Sequence, residues 1–200
     1  MKNIAVFCSG NGTNLQAIIN AVKRKQLRAN IALVVSDNHG AFALRRAKKA
    51  KIKTIVVERK LFNSRDDFEK EIVSCLKKEK INLLVLAGFM RVLGSVLIGA
   101  YKNKIINIHP ALLPSFKGAH GIKDAFEYGV KTTGVTIHFV DELMDNGPII
   151  LQEAVSIKEN DTLDSLEQRI HRVEHKLYYK AIALYVSNRL KVVGRKVKIV

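Results

Sequence analysis

Short, continuously apolar runs alternate with amphipathic segments through the first 110 residues, and this alternation limits the folds that the chain can adopt. Five runs are predicted strands, at 4–8, 31–35, 54–57, 83–87 and 105–108. Between them, apolar residues recur at helical spacing over 13–25 and 41–50, and Ser64 is a predicted N-cap of a third helix. Strands that are apolar on both faces lie buried between helices. The pattern therefore predicts an α/β, Rossmann-like fold with a mostly parallel twisted sheet and helices on both faces.

The second half of the chain has a different pattern, which predicts antiparallel strands. Runs at 135–140 and 149–157 are separated by the turn sequence Asp145-Asn146-Gly147-Pro148, and one long helix is predicted over about 162–188. The last eleven residues, LKVVGRKVKIV, have the pattern of a small hairpin. We expect one domain over residues 1–190, followed by a short basic tail at 191–200.

The composition excludes several classes of protein. Hydrophobic residues make up 48% and charged residues 26%, which is typical of a globular chain. No apolar run approaches the roughly 20 residues that cross a bilayer, and the run at the N-terminus is too short for a signal peptide. Cys8 and Cys75 lie in apolar stretches without metal-type spacing. They are predicted to be buried free thiols of a cytoplasmic protein.

The formal net charge of +16 has three possible meanings. It could mark nucleic-acid binding, steer anionic substrates, or reflect a general lysine bias. The basic residues are scattered along the sequence, mostly on the polar faces of predicted helices, and no aromatic residues are interleaved with them as stacking platforms. The sequence therefore does not favour nucleic acid as a partner, and the pattern of basic residues does not explain the charge.

A glycine-containing loop, Ser9 to Asn14, follows the first predicted strand and opens the first helix. Backbone N–H groups at such a helix start favour a phosphate. A dinucleotide fingerprint would need a third glycine where Leu15 stands, and Asp37 is far downstream for a ribose contact. A monophosphate site needs only the turn and the helix start, and a plain strand-to-helix turn needs no ligand.

Asn107 and His109 end the fifth predicted strand, and side-chain alternation along a strand puts both on one side. Asp145 follows His109 by 36 positions, in a tight turn. If Asp145 approaches His109, its charge would raise the pKa of the imidazole and favour proton donation near neutral pH. Asn107 could donate a hydrogen bond to a developing oxyanion. A histidine at a strand end can equally be a structural hydrogen-bond partner, and spacing alone leaves both interpretations open.

Five stretches in order, SGNGTNLQAI, AGFMRVL, NIHPALLPSFKG, GVTIHFV and DNGPIILQ, resemble the folate-dependent formyltransferases. Within that family they are similar to the enzymes that formylate phosphoribosylglycinamide in purine synthesis. The resemblance extends over nearly the whole chain, to about residue 190. It implies transfer of a formyl group from 10-formyltetrahydrofolate, the co-substrate, to an amine, with no metal and no nicotinamide.

The resemblance also implies a role for each matching position. The catalytic set would be Asn107, His109 and Asp145. The phosphate of glycinamide ribonucleotide would lie at Gly12, Thr13 and Asn14. The rest of that substrate would approach His171, Arg172, Val173 and Glu174, with Glu174 accepting from ribose hydroxyls. The folate would lie near Arg65, Met90, Arg91, Val92, Leu93, Asn107, Asp141, Glu142, Leu143, Met144 and Asp145.

Related enzymes with other substrates differ from this chain in the SGNGTN stretch and in additional domains. The related methionyl-tRNA enzyme normally lacks SGNGTN and carries a C-terminal RNA-binding domain, and the related folate hydrolase usually carries an N-terminal regulatory domain. This sequence contains SGNGTN, starts directly at the first strand and has only a short tail after the long helix, which favours the enzyme that formylates the ribonucleotide. We expect small-molecule substrates, and separately a monomer or weak homodimer. His171 to His175 fits the H-x-x-E-H zinc pattern, but a third ligand would still be needed. A basic module that has lost activity and binds nucleic acid is the other competing hypothesis.

Overall fold

The computed structural model describes residues 1–200, which divide into two compact units, Met1–Ile106 and Asn107–Val200. The sequence did not indicate this internal division, and the domain boundary expected at residue 190 stays a prediction. Strand β5, Ile105–His109, passes through the point of division.

The first unit is a parallel sheet with intervening helices. Its strands are β1 Lys2–Phe7, β2 Ala29–Ser36, β3 Thr54–Val56 and β4 Leu83–Leu86. Its helices are α1 Thr13–Lys23, α2 Phe42–Lys49, α3 Arg65–Lys78 and α4 Ser95–Ala100, with a 3-10 turn at Arg59–Leu61. Strand β1 pairs in parallel with β2 and β4, and β2 pairs in parallel with β3, which gives the order β3-β2-β1-β4. The 3-10 turn and α4 were not predicted, since both are too short to show a periodic pattern.

Burial and capping explain why these segments form these elements. All four residues of β4 are buried, as a strand covered on both faces requires. Helix α1 buries Leu15, Ile18 and Ile19 on one face. The predicted N-cap of α3 is confirmed, because Ser64 Oγ accepts a hydrogen bond from the Asp67 N–H at 3.0 Å.

The second unit contains the antiparallel strands. Its elements are α5 Gly121–Tyr128, β6 Thr132–Phe139, β7 Ile149–Ser156, α6 Leu163–Val186, β8 Leu190–Val193 and β9 Lys196–Ile199. Strand β7 pairs antiparallel with β6 and parallel with β9, and β8 and β9 form the terminal hairpin. Thr162 and Ser165 form a reciprocal capping box at the start of α6. The predicted class, an α/β fold with a mostly parallel sheet and antiparallel strands in the C-terminal half, is confirmed.

The two cysteines differ in environment, contrary to the prediction that both are buried. Cys8 is fully buried, and this burial raises the pKa of its thiol to about 12. Cys75 is only half-buried, because it lies beside the apolar face of α3 rather than on it. No helix of the structure has the length and apolar character needed to span a membrane.

Candidate active site

Two predicted ligand-binding segments of the first unit meet at the carboxyl edge of its sheet. Ser9 Oγ donates to Asp37 Oδ1 at 2.7 Å and accepts from the Met90 N–H at 3.0 Å. Arg91 Nε donates to the other Asp37 oxygen at 2.6 Å. The residues after β1 and after β4 are therefore fixed to one another through Asp37, as the parallel topology predicted.

The loop between β1 and α1 has a conformation that depends on Gly12. Its φ of 72° lies in the left-handed region, and a Cβ built there would lie 2.7 Å from Ala43 Cβ. Both restrictions require glycine. Arg46 Nε also donates to the Asn11 carbonyl at 2.8 Å, so α2 holds the loop from outside. Helix α1 begins at Thr13, and no side chain caps the first N–H groups of the helix.

A cavity of about 340 Å³ opens in the first unit beside α3. Its lining residues are Arg59, Arg65, Phe68, Glu69, Ile72, Met90, Arg91, Val92, Leu93 and Leu97. All five residues of this unit that were predicted to contact folate line it. Met90 and Val92 are exposed apolar side chains, so the loop offers an open hydrophobic surface.

Glu69 organises this cavity and was missed in the sequence. Its carboxylate is 2% exposed, accepts from the Leu97 N–H at 3.0 Å and from the Gly94 N–H, and pairs with Arg65. Arg65 in turn donates to the Val92 carbonyl. The end of the loop before α4 and the first turn of α4 are thus held from α3. The available signal was an acidic residue on the apolar face of α3, one position after Phe68.

In the second unit, Asn107, His109 and Asp145 lie together, as predicted. His109 Nδ1 is 3.5 Å from Asp145 Oδ2, and Asn107 Nδ2 is 3.5 Å from Asp145 Oδ1. The Gly118 N–H donates to Asp145 Oδ2 at 2.9 Å. His109 Nε2 lies 2.8 Å from the Phe116 carbonyl, so both ring nitrogens of His109 face acceptors.

His138 is a fourth member of this cluster that the spacing argument missed. Its Nδ1 lies 2.8 Å from the Phe139 carbonyl. Its Nε2 lies 3.3 Å from Asn107 Nδ2 and 3.7 Å from Asp145 Oδ1. The residue stands in the stretch GVTIHFV, where a histidine in an otherwise apolar strand was the available signal.

The pKa values of His109 and Asp145 reflect opposing effects of burial and of neighbouring groups. Burial lowers the pKa of His109 by more than Asp145 and the Phe116 carbonyl raise it, so the predicted rise is wrong. For Asp145, burial opposes ionisation, but hydrogen bonds from His138 and the Gly118 N–H, with the nearby histidine charges, lower its pKa. The resting pair is therefore a carboxylate beside a histidine that titrates on the acid side of its ordinary range.

The segment from Asp141 to Asp145 connects β6 and β7. Asp141 accepts from the Leu143 N–H and from Asn146 Nδ2, both at 3.1 Å, which fixes the turn. Glu142, Leu143 and Met144 are exposed, whereas Asp145 is turned inward in a left-handed conformation with φ 48°. The turn thus holds the Asp145 carboxylate against His109.

The predicted substrate segment on α6 has one buried and one half-exposed polar residue. Glu174 is 4% exposed and accepts from His171 Nδ1 at 2.8 Å, and this hydrogen bond raises the pKa of His171. The charge of Glu174 also raises the pKa of His109, by less than Asp145 does. Arg172 is exposed and Val173 half-buried. His171 and His175 stack at 6.4 Å, but no group of three or more His, Cys, Asp or Glu side chains is arranged to hold a metal.

Residues 2–182 match the formyl transferase family, and the chain belongs to that family. It is similar to the phosphoribosylglycinamide formyltransferase of Bacillus subtilis, with 46% identity over 94% of this chain and 98% of that enzyme. Two crystal structures have the same fold. Glycinamide ribonucleotide transformylase 1 from Symbiobacterium toebii is 40% identical, covering 100% of this chain and 94% of that one, with a TM-score of 0.97. Phosphoribosylglycinamide formyltransferase from Bacillus halodurans is 48% identical, covering 93% and 96%, with a TM-score of 0.91.

Proposed function

We propose that this protein transfers the formyl group of 10-formyltetrahydrofolate to the amine of 5-phosphoribosylglycinamide, giving formylglycinamide ribonucleotide and tetrahydrofolate in de novo purine biosynthesis. The cluster of Asn107, His109 and Asp145 carries the proposal, since it supplies an amide donor, an imidazole and a carboxylate. The amide and the imidazole each lie 3.5 Å from an oxygen of the carboxylate. Similarity over nearly the whole chain to enzymes named phosphoribosylglycinamide formyltransferase supports the choice of substrates.

In the proposed reaction the amine attacks the formyl carbon, and the new C–N bond precedes cleavage of the bond to the folate nitrogen. The amine loses a proton, and the folate nitrogen gains one. Negative charge that develops on the formyl oxygen would be stabilised by Asn107 and by protonated His109. The contacts of Asn107 Nδ2 at 3.3 and 3.5 Å are long, so a better acceptor can displace them.

His109 is suited to proton transfer because burial disfavours its imidazolium form, whereas Asp145 and the Phe116 carbonyl stabilise that form. Burial lowers its pKa, so the charged form gives up its proton readily. The Phe116 carbonyl and Asp145 each accept from one ring nitrogen, so the charged form is held in one orientation. Asp145 would help order water or pass protons between the two substrates.

The binding roles are part of the proposal. The phosphate would bind at Gly12 to Asn14, where the helix start favours an anion. His171 to Glu174 would contact the ribonucleotide, and the Glu174 carboxylate can accept more than one hydrogen bond. The folate would contact the cavity residues Arg65 and Met90 to Leu93, and the turn from Asp141 to Asp145.

We further propose that the protein acts in the cytoplasm as a monomer or weak homodimer. No metal and no nicotinamide take part in the proposed reaction. Two residues of the H-x-x-E-H pattern, His171 and Glu174, pair with each other.

A formyl-transfer assay tests the proposal. Purified protein is given 10-formyltetrahydrofolate with phosphoribosylglycinamide, with initiator methionyl-tRNA, or with neither, and both tetrahydrofolate and free formate are measured. We expect turnover only with phosphoribosylglycinamide. Replacement of His109 by Ala should lower kcat by at least about 100-fold, since it removes the proton-transfer group. Formate release without an amine would instead identify a hydrolase, and near-normal turnover of the variant would remove His109 from the mechanism.

A further inference from the structure

The positive charge of the chain is concentrated in its first unit. Residues 1–106 contain 21 of the 34 Lys and Arg but only 7 of the 18 Asp and Glu, a net charge of +14. Residues 107–200 carry a net charge of only +2. The proposed reaction uses few of these cations, so most of the charge has no role in it.

Most of the cations of the first unit lie at one edge of its sheet. In a parallel α/β unit, helices end and strands begin at the same edge, which is opposite to the carboxyl edge of the strands. Thirteen exposed basic residues stand at those helix ends and strand starts, and we call them the amino-edge face. They are Lys23, Arg24, Lys25, Arg28, Lys48, Lys49, Lys51, Lys53, Lys77, Lys78, Lys80, Lys102 and Lys104.

Side-chain hydrogen bonds tie this edge into one surface. Asn3 at the start of β1 donates from Nδ2 to the Glu79 carbonyl, at 3.0 Å. It also accepts at Oδ1 from Asn30 of β2, at 3.0 Å. Its own N–H donates to Asn82 Oδ1, before β4, at 2.8 Å. Glu79 is the one acidic residue in segments 23–28, 48–53, 77–82 and 102–104, and it pairs with Lys53. The charge of the face is therefore almost uncompensated.

Helix stability alone does not account for these cations. Basic residues in the last turn of a helix interact favourably with its dipole, which explains residues such as Lys23 and Lys77. Lys25, Lys51 and Lys80, however, occupy left-handed positions just beyond three helices, with φ of 60°, 59° and 51°. Glycine or asparagine is the less strained choice there.

Folding changes one of the two sequence features that disfavour nucleic acid. The basic residues are scattered along the chain, but folding gathers them on one face. The absence of aromatic platforms stands, because no large apolar side chain is exposed in the four segments of the face. This absence disfavours single strands, which stack on aromatic rings, and also membranes and protein interfaces with an apolar centre.

We propose that the amino-edge face binds the phosphate backbone of double-stranded nucleic acid, without reading its sequence. Four adjacent strands span about 15 Å, and helix layers on both sides extend the face to roughly 30 Å. A duplex carries about one charge per 1.7 Å, so this length presents roughly 9–18 phosphates, comparable to the thirteen cations. The glycine loop and the cavity lie at the opposite edge, so a bound duplex leaves them accessible.

Fluorescence anisotropy with a labelled 20-base-pair duplex tests the proposal, using the full chain in 50 to 200 mM salt. The variant Lys48→Gln, Lys49→Gln, Lys77→Gln, Lys78→Gln removes four charges from the face. The matched control Lys131→Gln, Lys158→Gln, Lys176→Gln, Lys180→Gln removes four exposed charges from the second unit. Formyl transfer by both variants, at the rate of the unmodified chain, verifies that they fold.

We expect the unmodified chain to bind duplex RNA and duplex DNA with a steep inverse dependence on salt. The face variant should bind at least about tenfold more weakly, with a salt slope smaller by up to about four, whereas the control should change less than about twofold. Equal losses in the two variants would mean diffuse attraction and overturn the proposal. So would the absence of binding at 50 mM salt, or a preference for single strands, phosphatidylserine vesicles or polyglutamate over the duplex.

Discussion

At the scale of single residues, the pairing of His109 with Asp145 is central to the proposed chemistry. Burial pulls the pKa of His109 down, and the Asp145 carboxylate is the largest influence that pulls it back up. The sequence identified both residues, but it led to the wrong direction for the pKa. Desolvation depends on how deeply the fold encloses the ring, which no local pattern records.

Replacing Asp145 by Asn tests this balance. Removing the negative charge should lower the pKa of His109 further, because the influence that raises it is lost. The His109 inflection in the pH–rate profile should then move to lower pH, and kcat should fall by about 10²- to 10⁴-fold. NMR titration of the His109 ring gives the same shift directly. An inflection that stays in place or moves to higher pH would show that Asp145 does not act on His109.

At the scale of elements, a buried carboxylate of α3 holds the start of α4. Replacing Glu69 by Gln keeps the size but places an NH₂ group against N–H donors at Gly94 and Leu97. We expect the free energy of unfolding to fall by about 1–3 kcal/mol and KM for the folate to rise more than kcat falls. The exposed Glu71 on the same helix, also replaced by Gln, is the control for denaturant unfolding and kinetics. Unchanged stability of the Glu69 variant would contradict the clamp.

Helix α6 should gain stability from its internal ion pair only at lower pH. The hydrogen bond between His171 and Glu174 raises the pKa of His171 above the unfolded value of 6.5. The stabilisation is therefore complete below pH 6.5 and disappears as pH rises through the folded pKa. Because the His171 side chain is 46% exposed, solvent screening limits the effect to less than about 1 kcal/mol.

Denaturant unfolding of His171→Gln and the unmodified chain at pH 5.5 and pH 9 measures this difference. The loss of stability caused by the substitution should be larger at pH 5.5, and the exposed His120→Gln serves as the control. An equal loss at both pH values would show that the contact does not depend on charge.

At the scale of the whole molecule, uneven charge should make stability depend on salt. Cations crowded on the amino-edge face repel one another, and salt screens that repulsion. Thermal unfolding between 10 and 200 mM NaCl should therefore show a Tm that rises by a few degrees, about 2–5 °C. The rise should be smaller in the four-lysine face variant than in its matched control from the second unit. Identical rises in the two variants would mean that the charges of the face do not repel measurably.

The sequence by itself determined the fold class and most of the candidate site. Alternating buried strands and amphipathic helices leave few other ways to bury apolar surface. Asn107, His109 and Asp145 were identifiable because polar residues at a strand end and in a tight turn stand out from apolar surroundings. The cavity residues Met90 to Leu93 were predicted from the resemblance to the family.

Only the tertiary structure decided three other features. His138 and Glu69 act through partners 25 to 31 positions away, and such contacts depend on how strands and helices are placed. The direction of the His109 pKa depends on burial. The grouping of cations depends on parallel topology, which brings four distant helix ends to one edge, so charges that appear scattered in sequence become one surface in the fold.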